Sequence, residues 1–280
     1  FDLIYALIMA FLLAISLTFT FLGGQIAVMV TDFFQGIFVN AVFAVMGIFL
    51  LIFLFDWSQI MEAAAMAPAG ASLINPINTG NTDNFNVNYF LIQAFGAVYV
   101  FMAWQGNQGY YGAARSPHDA RMGRLIGQLR PITQTLPLVL LPMCAWAFLH
   151  HADFAAEAVG AHAALDAIAN DQIRSQLTVT IATAHFLPPV ILGLFAAVML
   201  AAFISTHDTY LHAWGSIFIQ DVVMPVRQNL LGNDKVLKPE SHIKLLKASI
   251  FGVAVFIFLF SLLFSQQQDI LMFFALTGTI

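Results

Sequence analysis

The sequence predicts an all-α membrane protein, and three observations carry that reading. Apolar residues make up 60% of the 280-residue chain, charged residues only 9%, and mean hydropathy is +0.83. A soluble domain is about one-quarter charged, so lipid is the solvent this composition fits. The apolar residues also come in stretches of about 20, the length a helix needs to cross a bilayer. Finally, nine of the ten Lys and Arg residues fall in two short segments. Arg115, Arg121, Arg124 and Arg130 lie in one; Arg227, Lys235, Lys238, Lys244 and Lys247 lie in the other. Loops rich in Lys and Arg stay on the cytoplasmic side. The remaining long polar segments, 56–88 and 150–177, hold Arg174 as their one cation beside Asp56, Glu62, Asp83, Asp153, Glu157, Asp166 and Asp171. The net charge of −5 comes mostly from these outer segments. It implies no nucleic-acid partner; the lipid bilayer is the partner implied, with no obligate protein partner.

Seven spans follow in order. The first covers about 3–22 and stops at Gly23-Gly24, a C-terminal stop signal. The second, about 26–55, follows a tight turn and is long enough to tilt. The third covers about 88–106 and the fourth about 131–149, with Pro137 and Pro142 expected to kink it. The fifth begins near Pro188-Pro189, residues suited to a first helical turn, and runs past Ser205 towards Asp221. The sixth runs about 247–264, and the seventh starts near Asp269. With both basic segments inside, the directions alternate without conflict. The stretch 66–86 reads as a solvated loop. Cys144, the one cysteine, reads as helix packing. The chain opens on Phe1 and ends, still apolar, on Ile280, so 1–280 is expected to be one transmembrane transporter domain, incomplete at both ends.

Three polar clusters interrupt the apolar spans, and polar groups at membrane depth usually face a cavity or the bundle interior. Thr31-Asp32 with Gln35 lies near the inner end of the second span, Asp32 about 9 Å deep. It is either an Asp satisfied by a hydroxyl or water, or an ion site. On the fifth span Ala202, Ser205, Thr206 and Thr209 share one stripe, with Asp208 and His212 at its border. Small residues there serve close helix packing; equally, hydroxyl and carbonyl oxygens suit a hard cation such as Na⁺. The third cluster runs from Trp104 through Asn107, Gln108, Tyr110 and Tyr111 to Gly112, with glycines at 106 and 109. It reads as an interfacial aromatic belt or as the unwound backbone of a solute site.

Together these clusters resemble the sodium/solute symporter family, which includes sodium–glucose, sodium–proline and sodium–sialic acid transporters. Gly23-Gly24, Ala27-Val28, Thr31-Asp32 and Gln35 are similar to its first signature. Asn107-Gln108 with Ala113-Ala114-Arg115-Ser116 and Ala120-Arg121 resembles its second. Ala201 to Thr206, then Leu211 and Asp221, resembles its third. The resemblance implies a partial LeuT-type inverted-repeat bundle, core helices 4 to 10 present and core helices 1 to 3 missing. It implies a multi-pass protein of the plasma membrane that couples Na⁺ influx to uptake of a small organic solute by alternating access. The solute would be a sugar, amino acid or carboxylate, and the ion the coupling cofactor. Carried over by position, Ala202 (carbonyl), Ser205 and Thr206 (hydroxyls) would form half of the usual Na⁺ site. Asp32, Asp208 and Thr209 would form a second cation or proton site, where Asp208 replaces the family's hydroxyl. Asn107, Gln108 and Tyr110 would meet the solute.

Other classes remain to be separated. A non-transporting sensor or channel-like protein on the same scaffold would keep these helices. A membrane metalloenzyme would need clustered ligands, and the eight histidines contain no HExxH pattern.

Overall fold

A computed structural model describes residues 3–75, 77–80, 86–103, 108–230, 237–264 and 273, with side chains left aside at 99–103, 108, 109 and 230. Among the described residues every regular segment is helical. That is what a chain of long apolar runs dictates, since lipid offers no hydrogen bonds and a helix satisfies its own backbone. The order is α1 (Leu3–Phe49), continued by a π turn (Leu50–Leu54), α2 (Trp57–Ala65), α3 (Val87–Ala103), α4 (Gln108–Gly112) and α5 (Pro117–Gly127). Then come α6 (Arg130–His150), α7 (Val159–Asp166), α8 (Asp171–Phe186), α9 (Pro189–Ile217) with π turns at Phe218–Val223 and Val226–Leu230, and α10 (Pro239–Leu263).

The break expected at Gly23-Gly24 falls inside α1, at Gly24 (φ 56°, ψ −150°). A side chain is disfavoured at that φ, whereas glycine adopts it freely. Its neighbour acts differently: a Cβ on Gly23 would lie 2.1 Å from the Cβ of Ala27. One glycine makes the turn and the other lets the two arms close. Gly23→Val should therefore cost about 1–3 kcal/mol of stability, because a Cβ contact cannot be relieved by rotation. Thermal unfolding in detergent measures it, and an unchanged midpoint would remove Gly23 from the closure.

The remaining spans sit close to their expected places. The fourth runs helical through Pro137 and Pro142. The sixth starts earlier than expected, at Pro239, with Glu240 in its first turn and Lys244 and Lys247 within the helix. Counting apolar residues finds the part of a helix in lipid, not its charged approach. The expected start of the seventh span lies outside the described residues. Helices α2, α5, α7 and α8 have no counterpart among the expected spans, being too polar or too short to cross. Caps mark the starts of three of them, while α7 begins without a side-chain cap. The Asp56 N–H donates to Gln59 Oε1 (3.0 Å) at the start of α2. Ser116 accepts the Asp119 N–H (3.1 Å) before α5, and Asn170 accepts the Ile173 N–H (3.1 Å) before α8.

The chain gathers into two compact units: residues 1–39, 105–121 and 198–265, and residues 40–104, 122–197 and 266–280. The second is built around α6, on which Cys144, Ala147 and Phe148 are at most 2% exposed. Phe55 meets Phe154 and Phe186 at ring distances of 5.0 and 5.3 Å. The Trp146 Nε1–H donates to the Ala63 carbonyl at 2.8 Å, tying α6 to the end of α2. On its polar side His151 accepts the Asp153 N–H at Nδ1 (3.2 Å), which leaves Nε2–H to donate to Glu62 (3.3 Å). In the first unit α9 and α10 pack through Leu211, Ile250 and Ala254, with Leu17 and Phe21 of α1 against them.

Candidate functional site: a carboxylate held by hydroxyls

Asp32 is the centre of the polar group in the first unit. The helical arm after Gly24 carries it, and α9 offers Ser205 and Thr209, four residues apart and so on one face. Ser205 Oγ donates to Asp32 Oδ1 at 2.5 Å, and Thr209 Oγ1 donates to Oδ2 at 3.2 Å. Tyr110, on α4, donates its phenol to Asp32 Oδ2 and lies 3.0 Å from Thr209 Oγ1. Three hydroxyls from two other helices thus converge on one carboxylate. Hydrogen bonds to a charged group are worth about 1.5–3 kcal/mol each. An ionised side chain at the centre of a span costs about 2.5–3.5 kcal/mol on insertion scales. The hydroxyls therefore suffice to keep Asp32 where it is.

The other residues singled out in the sequence behave differently. Thr206, exposed on α9, donates its hydroxyl to the Ala202 carbonyl at 2.8 Å, a bond within its own helix. Thr31 likewise bonds back to the carbonyls of Ala27 (2.9 Å) and Val28 (3.0 Å). The buried Gln35 Oε1 has no hydrogen-bond partner among the described residues. Asp208 is 0% exposed, and neither carboxylate oxygen finds a donor among the described residues. It lies on the buried stripe of α9 with Leu211 and Gly215, beside the face that holds Ser205 and Thr209. Asn107 lies outside the described residues, and Gln108 is described only as the first residue of α4.

Sequence reasoning placed Asp32 and Thr209 together but did not join Ser205 or Tyr110 to them. The spacing of Ser205 and Thr209 was the available signal. Tyr110 lies 78 residues from Asp32, and nothing local links the two.

Several of the histidines serve local structure. His162, His185 and His207 each bond a backbone carbonyl at 2.8–3.0 Å. Among the described residues no three His, Cys, Asp or Glu side chains assemble as a metal centre would require. The oxygens around Asp32 are hard donors of the kind that suits an alkali cation.

The profile of the sodium:solute symporter family matches residues 1–277. The chain belongs to the sodium:solute symporter family. No curated protein and no solved structure matches it. Sodium:solute symporters are transporters, not enzymes, and their coupling ion is sodium. Family membership and, among the described residues, four helices long and apolar enough to cross a membrane, Leu3–Leu54 (bent at Gly24), Pro117–His150, Pro189–Asn229 and Pro239–Leu263, make this an integral membrane protein.

Proposed function

We propose that this symporter is a multi-pass protein of the plasma membrane that couples Na⁺ influx to uptake of a sugar, amino acid or small carboxylate by alternating access. The observation that carries the reading is the group of hydroxyls from α9 and α4 on Asp32. A hydroxyl that donates to a carboxylate keeps lone pairs, so the same atoms hold the side chain and coordinate a cation. On this reading α1 supplies core helices 4 and 5 of a LeuT-type bundle, and α9 supplies core helix 8.

Ala202, Ser205 and Thr206 form one part of the coupling site. The Ala202 carbonyl now accepts the Thr206 hydroxyl, which places two of the three oxygens 2.8 Å apart. Asp32, Asp208 and Thr209 form a second cation or proton site. A buried carboxylate without a donor is costly while charged, so Asp208 holds either a cation or a proton. Asn107 and Gln108, the latter opening α4, meet the solute. The membrane potential contributes about 2.3 kcal/mol per charge per 100 mV to inward Na⁺ movement.

The test is uptake by the intact transporter over a panel of sugars, amino acids and carboxylates, with and without Na⁺. Ser205→Ala and Thr206→Ala should each raise the half-saturating Na⁺ concentration about tenfold, the loss expected for one ligand oxygen. Binding of solute without flux would assign a sensor instead. Asp208→Asn is measured alongside, and unchanged ion stoichiometry and pH dependence would remove Asp208 from the second site.

A further inference from the structure

Tyr110 stands in the segment the sequence assigns to the solute, yet its polar end lies elsewhere. The phenol meets Asp32 and Thr209 and so joins a closed group with Ser205 on the neighbouring turn of α9. Counting both carboxylate oxygens, five oxygen atoms meet there. Three helices contribute them: the arm of α1 after Gly24, α4 and α9.

We propose that Tyr110 is a residue of the cation site and that it links ion occupancy to α4. The inference rests on the reading of Asp32 as an ion site. A solute group at the Tyr110 hydroxyl would have to compete with a carboxylate for the phenol proton, and charged acceptors hold donors more strongly than neutral ones. A cation faces no such competition, because it takes the lone pairs. It draws on the carboxylate charge and on the hydroxyl oxygens at once. The hydroxyl is also the handle by which α4 responds. Tyr110 lies two residues beyond Gln108, so an ion that repositions the phenol moves the short helix bearing Gln108. Coupling between ion and solute then needs no shared ligand. A hydrogen bond connects the cation group to the segment that carries the solute residues.

The experiment measures equilibrium binding of radiolabelled Na⁺ alone to the purified intact transporter: wild type, Tyr110→Phe, Tyr111→Phe and Asp32→Asn, with the Tyr110→Phe/Asp32→Asn double variant. Tyr110→Phe should weaken Na⁺ binding about tenfold, the fold-change for loss of one bond to a charged group. Tyr111→Phe should leave binding unchanged. The effect of Tyr110→Phe should vanish in the Asp32→Asn background, because two groups acting on one ion are not additive; a merely structural role would persist there. Wild-type protein that binds no Na⁺ would overturn the ion reading itself. Wild-type binding with an unchanged affinity in Tyr110→Phe would overturn the role of Tyr110 alone. Should Tyr110→Phe not fold, 3-fluorotyrosine at position 110 replaces it. Its fluorine resonance should shift with the same Na⁺ midpoint as binding, and a resonance indifferent to Na⁺ refutes the proposal.

Discussion

Asp32→Asn should reduce Na⁺ affinity at least 100-fold and abolish Na⁺-dependent uptake, while the protein still inserts and folds. Breaking a charge interaction away from water by removing one partner costs about 3–5 kcal/mol when fully buried, roughly two to nearly four orders of magnitude in affinity, and the half-buried Asp32 belongs at the lower end. Asn keeps the shape and one carbonyl oxygen, but its amide donates where Asp32 only accepted. Asp32 Oδ2 takes both Tyr110 and Thr209, and Oδ1 takes Ser205. Whichever way the amide turns, a hydroxyl that had an acceptor meets a donor. Asp32→Ala should lose the ion equally and also lower stability, since three half-buried hydroxyls then lack their common acceptor. Na⁺-dependent uptake and direct Na⁺ binding give the two readouts. A half-saturating Na⁺ concentration in Asp32→Asn equal to that of wild type would move coupling away from this carboxylate.

The largest effect on stability should come from Gly215→Val. A Cβ at Gly215 would stand 2.5 Å from Ile250 Cγ1 and 3.2 Å from both Cα and N of Ile250. The first contact is a side chain, but the other two are the backbone of α10. The Ser249 hydroxyl bonds the Gly215 carbonyl at 3.0 Å across the same contact. Separating the helices therefore stretches that bond and opens the packing of Leu211 against Ile250 and Ala254. Without a hydrophobic drive in lipid, helix association depends on such close approach. Overpacking costs about 1–3 kcal/mol, and Gly215→Val should reach the upper end. Gly47→Ala is the comparison. Its added Cβ meets Leu136 Cδ2 at 2.4 Å, the tip of a side chain that can rotate away. It should cost less than 1 kcal/mol once Leu136 has rotated clear. Thermal unfolding in detergent compares the two, and equal losses would show that the backbone contact does not decide the cost.

Much of the architecture was legible because the bilayer imposes a length on each helix. The fourth span, expected at about 131–149, is Arg130–His150. The fifth begins at Pro189, beside the expected proline pair. The glycine pair marked the turn inside α1, because positive φ restricts residue choice. What escaped was helix outside the apolar runs. Helix α8 has the Asn170 cap and carries Arg174, whose guanidinium donates to the Ile168 carbonyl from Nε (3.1 Å) and Nη2 (2.9 Å). Such helices take their stability from caps and packing, which a search for apolar length passes over.

The sequence by itself determined the class of protein, the places of the main spans and the identity of the polar residues within them. Each follows from local rules: the thickness of a bilayer, the pitch of a helix, and the cost of an unsatisfied charge. Tertiary structure alone decided which of those polar residues meet. Asp32, Tyr110 and Ser205 are neighbours across separations of 78 and 173 residues, while Thr206, adjacent to Ser205, turns back to its own helix. A helix presents a new direction every 100°, so one residue of difference separates a hydroxyl at the shared carboxylate from one outside it.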